Sequence, residues 1–213
     1  MAKLTARLEL IAEKARITLS SKDAAREKAL RASRDAVRHC ADAIRAVHRG
    51  EYNEAKKGLS SARKLLKELD ETLKEHQEFL YTGFVYTAQK EYAEGCATLG
   101  LISEDTLPDP DELGVGYAAY LNGLGETIGE LRRHILDTIR KGDIARCEEL
   151  LAAMDDIYGV LVTMDFPDAM TGGLRRTTDS VRGILERTRG DLTIAVRQRE
   201  LEEKLANLEK KLT

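Results

Sequence analysis

The stretch Tyr117-Ala118-Ala119-Tyr120-Leu121-Asn122-Gly123-Leu124-Gly125-Glu126-Thr127-Ile128-Gly129-Glu130-Leu131-Arg132-Arg133-His134-Ile135 decides the fold. Tyr117, Leu121, Leu124, Ile128, Leu131 and Ile135 recur at steps of three or four, which lines them along one side of an α-helix. Ala119, Gly123, Glu126 and Glu130 fall on the other side. Gly116, Gly123, Gly125 and Gly129 each weaken a helix, so their density predicts a neighbouring backbone lying close by. A helix with two such faces belongs in the middle of a helix-on-helix protein.

The same period extends outward in both directions. A first helix is predicted from Leu4 to about His48, carried by Leu8, Ile11, Ala15, Leu30, Val37 and Ile44 and ended at Arg49-Gly50. A second runs over about 51–76 with Leu59, Leu65, Leu66, Leu69 and Leu73, and a third over about 79–99, stopping at Gly100. The Pro-containing run Ser103 to Asp111 reads as a loop. The helix quoted above covers about 115–140, and Gly142-Asp143 then pairs a stop with an N-cap for a fifth helix reaching about Met164. Phe166-Pro167-Asp168 and Gly172-Gly173 mark the next loop, and a last helix spans about 174–212. Ile194, Leu201 and Leu208 repeat every seven residues, as do Leu205 and Leu212, in coiled-coil fashion. The expectation is an all-α antiparallel bundle of six or seven helices, forming one domain over 1–213.

Composition agrees. Of 213 residues, 33% are charged, only 3 are Pro and none is Trp, the usage of long helices rather than strands. The formal net charge of -3 neither demands nor excludes nucleic acid, because local clustering of basic groups decides that. Cys40, Cys96 and Cys147 are far apart and lack metal-ligand spacing, so they read as reduced, mostly buried thiols. No apolar run reaches the roughly 20 residues of a membrane span, and the start of the chain is not a signal peptide. Cytoplasmic location is the expectation.

The chemistry is concentrated in two pairs of carboxylates. Leu80, Phe84, Thr87 or Ala88, Glu91 and Glu94 follow one another at steps of three or four, so both glutamates continue an apolar stripe facing the interior. A carboxylate there is costly unless it is paired, protonated or bound to a metal, and two at i, i+3 repel unless a cation lies between them. With Glu126 and Glu130 on the facing side of the next helix, four oxygens-rich side chains would suit Mg²⁺ or Mn²⁺. The competing reading is that such pairs arise by chance in a Glu-rich chain and face solvent. The histidines His39, His48, His76 and His134 give no Glu-x-x-His motif, which argues against a ferritin-like di-iron bundle.

Four strings carry a family resemblance, in order along most of the chain: Ser33-Arg34-Asp35, Gln89-Lys90-Glu91-Tyr92-Ala93-Glu94-Gly95, Tyr120-Leu121-Asn122-Gly123-Leu124-Gly125-Glu126-Thr127-Ile128-Gly129-Glu130-Leu131, and Gly142-Asp143-Ile144. They resemble the translin family, on the branch of translin-associated factor X. The second string is similar to that branch's Gln-Glu-Tyr-Val-Glu-Ala, with one extra residue after Gln. The third, the most specific, is similar to Tyr-Leu-Leu-Gly-Val-Ala-Asp-Leu-Thr-Gly-Glu-Leu. The resemblance implies a seven-helix fold, a hollow octamer, and binding of single-stranded RNA or DNA. For this branch it implies a Mg²⁺-dependent endoribonuclease whose acids fall on Glu91, Glu94, Glu126 and Glu130. Glu126 stands where the family has Asp, one methylene longer. Plain translin lacks much of this acidic set, so four carboxylates favour the nuclease branch, working here as a homo-oligomer. The alternative is a non-catalytic oligomeric binder of single-stranded RNA or DNA.

Basic side chains supply candidate nucleic-acid contacts. Arg31, Arg34, Arg38, Arg45 and Arg49 recur along one helix and form either a phosphate-tracking stripe or a solvated face paired with Glu27, Asp35 and Asp42. Lys56, Lys57, Arg63, Lys64 and Lys67 would extend that patch, and Arg132 and Arg133 lie just beyond Glu130. Tyr86, Tyr92, Tyr117 and Tyr120 are either base-stacking or core residues.

Overall fold

The computed structural model describes residues 2–104 and 106–212; Met1, Asp105 in the Pro-containing loop, and Thr213 lie outside the described residues. Eight α-helices and no strand are formed among them: α1 (Ala2–His48), α2 (Tyr52–Leu73), α3 (Gly83–Ser103), α4 (Pro110–Leu113), α5 (Tyr117–Ile139), α6 (Ile144–Val162), α7 (Asp168–Thr171) and α8 (Leu174–Leu212). Six are long, and two are four-residue turns inside segments read from the sequence as loops. The α4 turn forms because Asp109 and Glu112 build a reciprocal capping box with Pro110 at the first helical position.

Several helices end or begin for a local reason. Gly50 closes α1 at φ +75°, and Gly142 and Gly172 take the same left-handed conformation after α5 and α7. Asp143 caps α6 by accepting from the Arg146 N–H. Two predicted boundaries move. A 3-10 turn, Gln77–Phe79, precedes α3, which starts at Gly83 after extended Thr82 rather than at Phe79. Gly100 does not stop α3. It lets the chain fold back on the helix, since a Cβ there would meet the Thr106 carbonyl oxygen at 2.4 Å, and the Glu104 and Thr106 N–H groups donate to its own carbonyl.

The core follows from which faces are apolar. Ala55, Leu59, Ala62, Leu66, Leu69 and Leu73 of α2 are buried at steps of four and three, packing along α1. The α3 helix contacts α1 and α2 on one side and α5 on another, and α5 in turn contacts α6 and α8. Helices α3 and α5 therefore hold the middle of the bundle. Leu124, Ile128, Leu131 and Ile135 of the opening stretch are all buried, whereas Tyr117 is exposed.

The two longest helices outrun this core. In α1 burial begins at Ala29; Leu4, Leu8, Leu10, Ile11, Ile17 and Leu19 are exposed. In α8 it ends at Leu192; Ile194, Leu201, Leu205 and Leu208 are exposed. The three cysteines are free thiols, two buried and Cys96 partly so. Among the described residues, no helix is long and apolar enough to cross a membrane.

Candidate metal centre

The α3–α5 crossing is set by a missing side chain. A Cβ on Gly123 would lie 2.7 Å from the Lys90 carbonyl oxygen and 3.1 Å from the Glu94 nitrogen, so only glycine lets the two backbones approach this closely. This bears out the close approach expected from the glycines at one position. Gly125 instead faces Thr177 of α8, and Gly129 has open space around it. Next to Gly123, the fully buried Thr127 hydroxyl donates to the Gly123 carbonyl at 2.9 Å and lies 3.5 Å from the Glu94 carbonyl.

One turn beyond this crossing, Glu126 meets Glu91 and Glu94. One carboxylate oxygen from each of the three lies within 4.8 Å of the others. Glu94 is the most enclosed, at 8% exposure. Burial, then the charges of Glu91, Glu126 and Glu130, push its carboxyl up to about 8 against the pull of Lys90. Burial likewise raises Glu91, opposed by Lys90. A cleft of about 460 Å³ opens beside them, lined by Glu94, Gly125, Glu126, Arg176, Thr177 and Ser180.

Glu130 takes a different partner. Its Oε2 lies 2.5 Å from Nε2 of His48, at the end of α1, and this bond holds its carboxyl below the ordinary range despite its burial. The structure thus brings three of the four sequence-selected acids together, with Glu130 alongside and tied to the histidine.

The basic candidates fall in varied settings. Arg31, Arg34, Arg38, Arg45 and Arg49 are all exposed; Arg38 pairs with Asp35 at 3.0 Å, Arg45 with Asp42, and Arg49 with Glu51. Lys56 reaches Glu104, Lys57 reaches Glu54, and Arg63 donates to the Glu112 carbonyl. The Arg132 guanidinium is committed to Thr188 Oγ1 and Asp191 Oδ2 of α8, whereas Arg133 is exposed, 4.0 Å from Glu130. Tyr92 and Tyr120 are core residues, Tyr86 is half-buried, and Tyr117 lies on the surface with its hydroxyl donating to Asp111.

Three residues at the site escaped the sequence reading. Lys90 Nζ lies 2.5 Å from Glu126 Oε1 and 3.6 Å from Glu91 Oε1. His48 looked like the ordinary end of a helix. Arg176 lines the cleft from α8. Only Lys90, beside Glu91 in the sequence, had any local signal.

Three carboxylates converging from two helices, one of them buried, form an all-oxygen donor set suited to a hard divalent cation. Fold and site together define an all-α protein with a carboxylate-rich candidate metal centre at its central helix pair. Comparison narrows this class. An uncharacterised protein of Methanocaldococcus jannaschii is 32% identical over 193 residues, covering 90% of this chain and 85% of its own. The structure of AfC3PO in complex with duplex RNA superimposes with a TM-score of 0.79 at 34% identity, over 88% of this chain and 97% of that one. The crystal structure of AfC3PO gives 0.78 at 33% identity over 88% and 97% of the two chains. Apo-NeC3PO, at 24% identity, shares the fold with a TM-score of 0.72 over 88% and 96%. No family profile matches the chain. The chain belongs to the translin/C3PO family, and within it to the archaeal type related to translin-associated factor X.

Proposed function

We propose that this protein binds RNA as a homo-oligomer and cleaves it endonucleolytically, with Mg²⁺ or Mn²⁺ held by Glu91, Glu94 and Glu126. The observation that carries this reading is the convergence of those carboxylates to within 4.8 Å beside an open cleft. Its context supports RNA as the substrate class, since the chain aligns over 88% of its length with a protein solved in complex with duplex RNA. We take single-stranded RNA as the strand that is cut, with single-stranded DNA as a further ligand.

Held by Glu91, Glu94 and Glu126, a divalent ion would supply an activated water and neutralise charge at the leaving oxygen. The chain's own groups do the rest. Glu94, enclosed and raised to about 8, gains most from a cation that relieves its repulsion with Glu91 and Glu126. Glu130, held ionised by His48, adds negative charge at the edge of the cluster. Arg176 lines the cleft, where its guanidinium suits a phosphate oxygen. The exposed Arg31 and Arg34 of α1 are candidate contacts to the RNA backbone.

Assembly is part of this reading, and we infer an octamer on the pattern of the family. The exposed apolar residues on the projecting parts of α1 and α8 support self-association. The deciding experiment incubates end-labelled single-stranded and duplex RNA with the purified protein, with and without Mg²⁺. Internal cleavage that needs Mg²⁺ and disappears in Glu91→Ala/Glu94→Ala is the expected result. Undiminished Mg²⁺-dependent cleavage by that variant would refute the assignment. Salt-sensitive binding with no product at any Mg²⁺ or Mn²⁺ concentration would leave the non-catalytic binder.

A further inference from the structure

The carboxylate cluster already contains a cation belonging to the chain. Lys90 precedes Glu91 on α3, and neighbours on a helix point about 100° apart, so its side chain leaves the acidic stripe and crosses toward α5. Its ammonium lies 2.5 Å from Glu126 and 3.6 Å from Glu91, with 18% of the side chain exposed. With all three ionised, as a bound divalent ion would hold them, carboxylates within 4.8 Å of one another carry three negative charges, and this ammonium offsets one of them. The remaining two match a single divalent ion.

A divalent ion and the ammonium repel each other when both are held at the Glu126 carboxylate. Mg²⁺ bonds oxygen at about 2.0–2.1 Å, which on the oxygen that Lys90 holds would leave the two cations only about 4 Å apart in a partly enclosed site. That repulsion favours withdrawal of the ammonium, and the lysine stem is flexible enough to allow it. A monovalent ion has little to gain by comparison. It brings no more charge than the ammonium, and it competes with a group whose tether keeps it at high local concentration.

We propose that Lys90 is an internal competitor for the divalent cation, so that metal enters the carboxylate site by displacing the Lys90 ammonium from Glu126. The inference rests on the reading of Glu91, Glu94 and Glu126 as the metal site. It assigns Lys90 the role of setting metal affinity and of excluding monovalent ions. Without metal, the same ammonium holds Glu126 against its acidic neighbours.

The test is Mn²⁺ binding to the metal-free full-length protein, followed by calorimetry and by loss of the free-ion paramagnetic resonance signal. Lys90→Met keeps the stem and removes the charge, Lys90→Gln is a second neutral variant, and Lys90→Arg keeps the charge. Losing one charge-assisted hydrogen bond that metal must otherwise break corresponds to about 10- to 100-fold in affinity. Both neutral variants should therefore bind Mn²⁺ about 10- to 100-fold more tightly, and Lys90→Arg should bind close to wild type. Thermal melts of the metal-free variants confirm that they fold. If wild type binds Mn²⁺ through Glu91 and Glu94 but the neutral variants bind no more tightly, the competitor role is overturned and the metal site stands. If Mn²⁺ binding survives Glu91→Gln/Glu94→Gln, or is absent from wild type and neutral variants alike, the metal-site reading itself falls, and this inference with it.

Discussion

His48 and Glu130 are joined across 82 residues of chain, Nε2 to Oε2, at 2.5 Å. The imidazole is almost fully enclosed, with 4% of its side chain exposed, and its Nδ1 has no partner among the described residues. The bond ties the end of α1 to α5 and fixes the one acid of the four that stands apart from the carboxylate triad. His48→Ala should cost about 1–3 kcal/mol, the range for leaving an enclosed polar group without its partner. The sign with pH follows from the lowered carboxyl of Glu130. Stability from such a group is present above its unfolded value, near 4.5, and is lost as pH falls through the folded one. Urea unfolding of both proteins checks this. The gap between them should be full at pH 7 and shrink well below pH 4.5; a gap that persists at low pH would show that His48 acts by packing alone.

Glu94 gives the opposite sign. Its folded carboxyl is raised from 4.5 to about 8, so the stability associated with its protonated form is full below about pH 4.5 and lost as pH rises toward 8. Metal-free protein should melt at a lower temperature at pH 8 than at pH 5.5. Glu94→Gln should remove much of that slope, and Mg²⁺ or Mn²⁺ should restore wild-type stability at pH 8 but not that of the variant. Equal slopes in the two proteins would mean that Glu94 is not the group responsible.

Two glycines of α5 should respond in opposite directions. At Gly123 a methyl meets the α3 backbone at 2.7 Å, so the helices must part. Gly123→Ala is expected to cost about 1–3 kcal/mol, as overpacking does. Gly129 meets nothing within 4 Å, and Gly129→Ala should stabilise the helix by about 0.5–1 kcal/mol. Chemical denaturation measures both. A tolerated Gly123→Ala would remove the close crossing as the device that brings Glu126 to Glu94.

The projecting end of α8 should be an assembly surface. Leu201 and Leu208, 57% and 56% exposed, lie two turns apart on one face. Leu201→Asp/Leu208→Asp should lower the mass seen by light scattering while leaving helicity and the melting of the core nearly unchanged. An unaltered mass would place the subunit contacts elsewhere.

Much of this architecture is legible in the residues themselves. Steps of three and four mark the faces of α2 and α5, and Gly50, Gly142 and Asp143 mark where helices end and begin. Those signals are local, because a helix side is defined by a period of 3.6 residues within one segment. The turns α4 and α7 and the 3-10 turn before α3 were missed because each is about one turn long, too short for any period to register.

The sequence by itself determined that this is an all-helical chain with acids on the inner sides of two helices, and its motifs pointed to the family. Tertiary structure alone decided how those acids divide. The crossing at Gly123 sets the offset and rotation of α5 on α3, and that geometry brings Glu126, not Glu130, to Glu91 and Glu94. It also places Lys90 among the carboxylates, His48 on Glu130 and Arg132 on Asp191. Periodicity says which way a side chain points from its own axis. Which charge it meets depends on the relative placement of two axes, and that is fixed only when the helices pack.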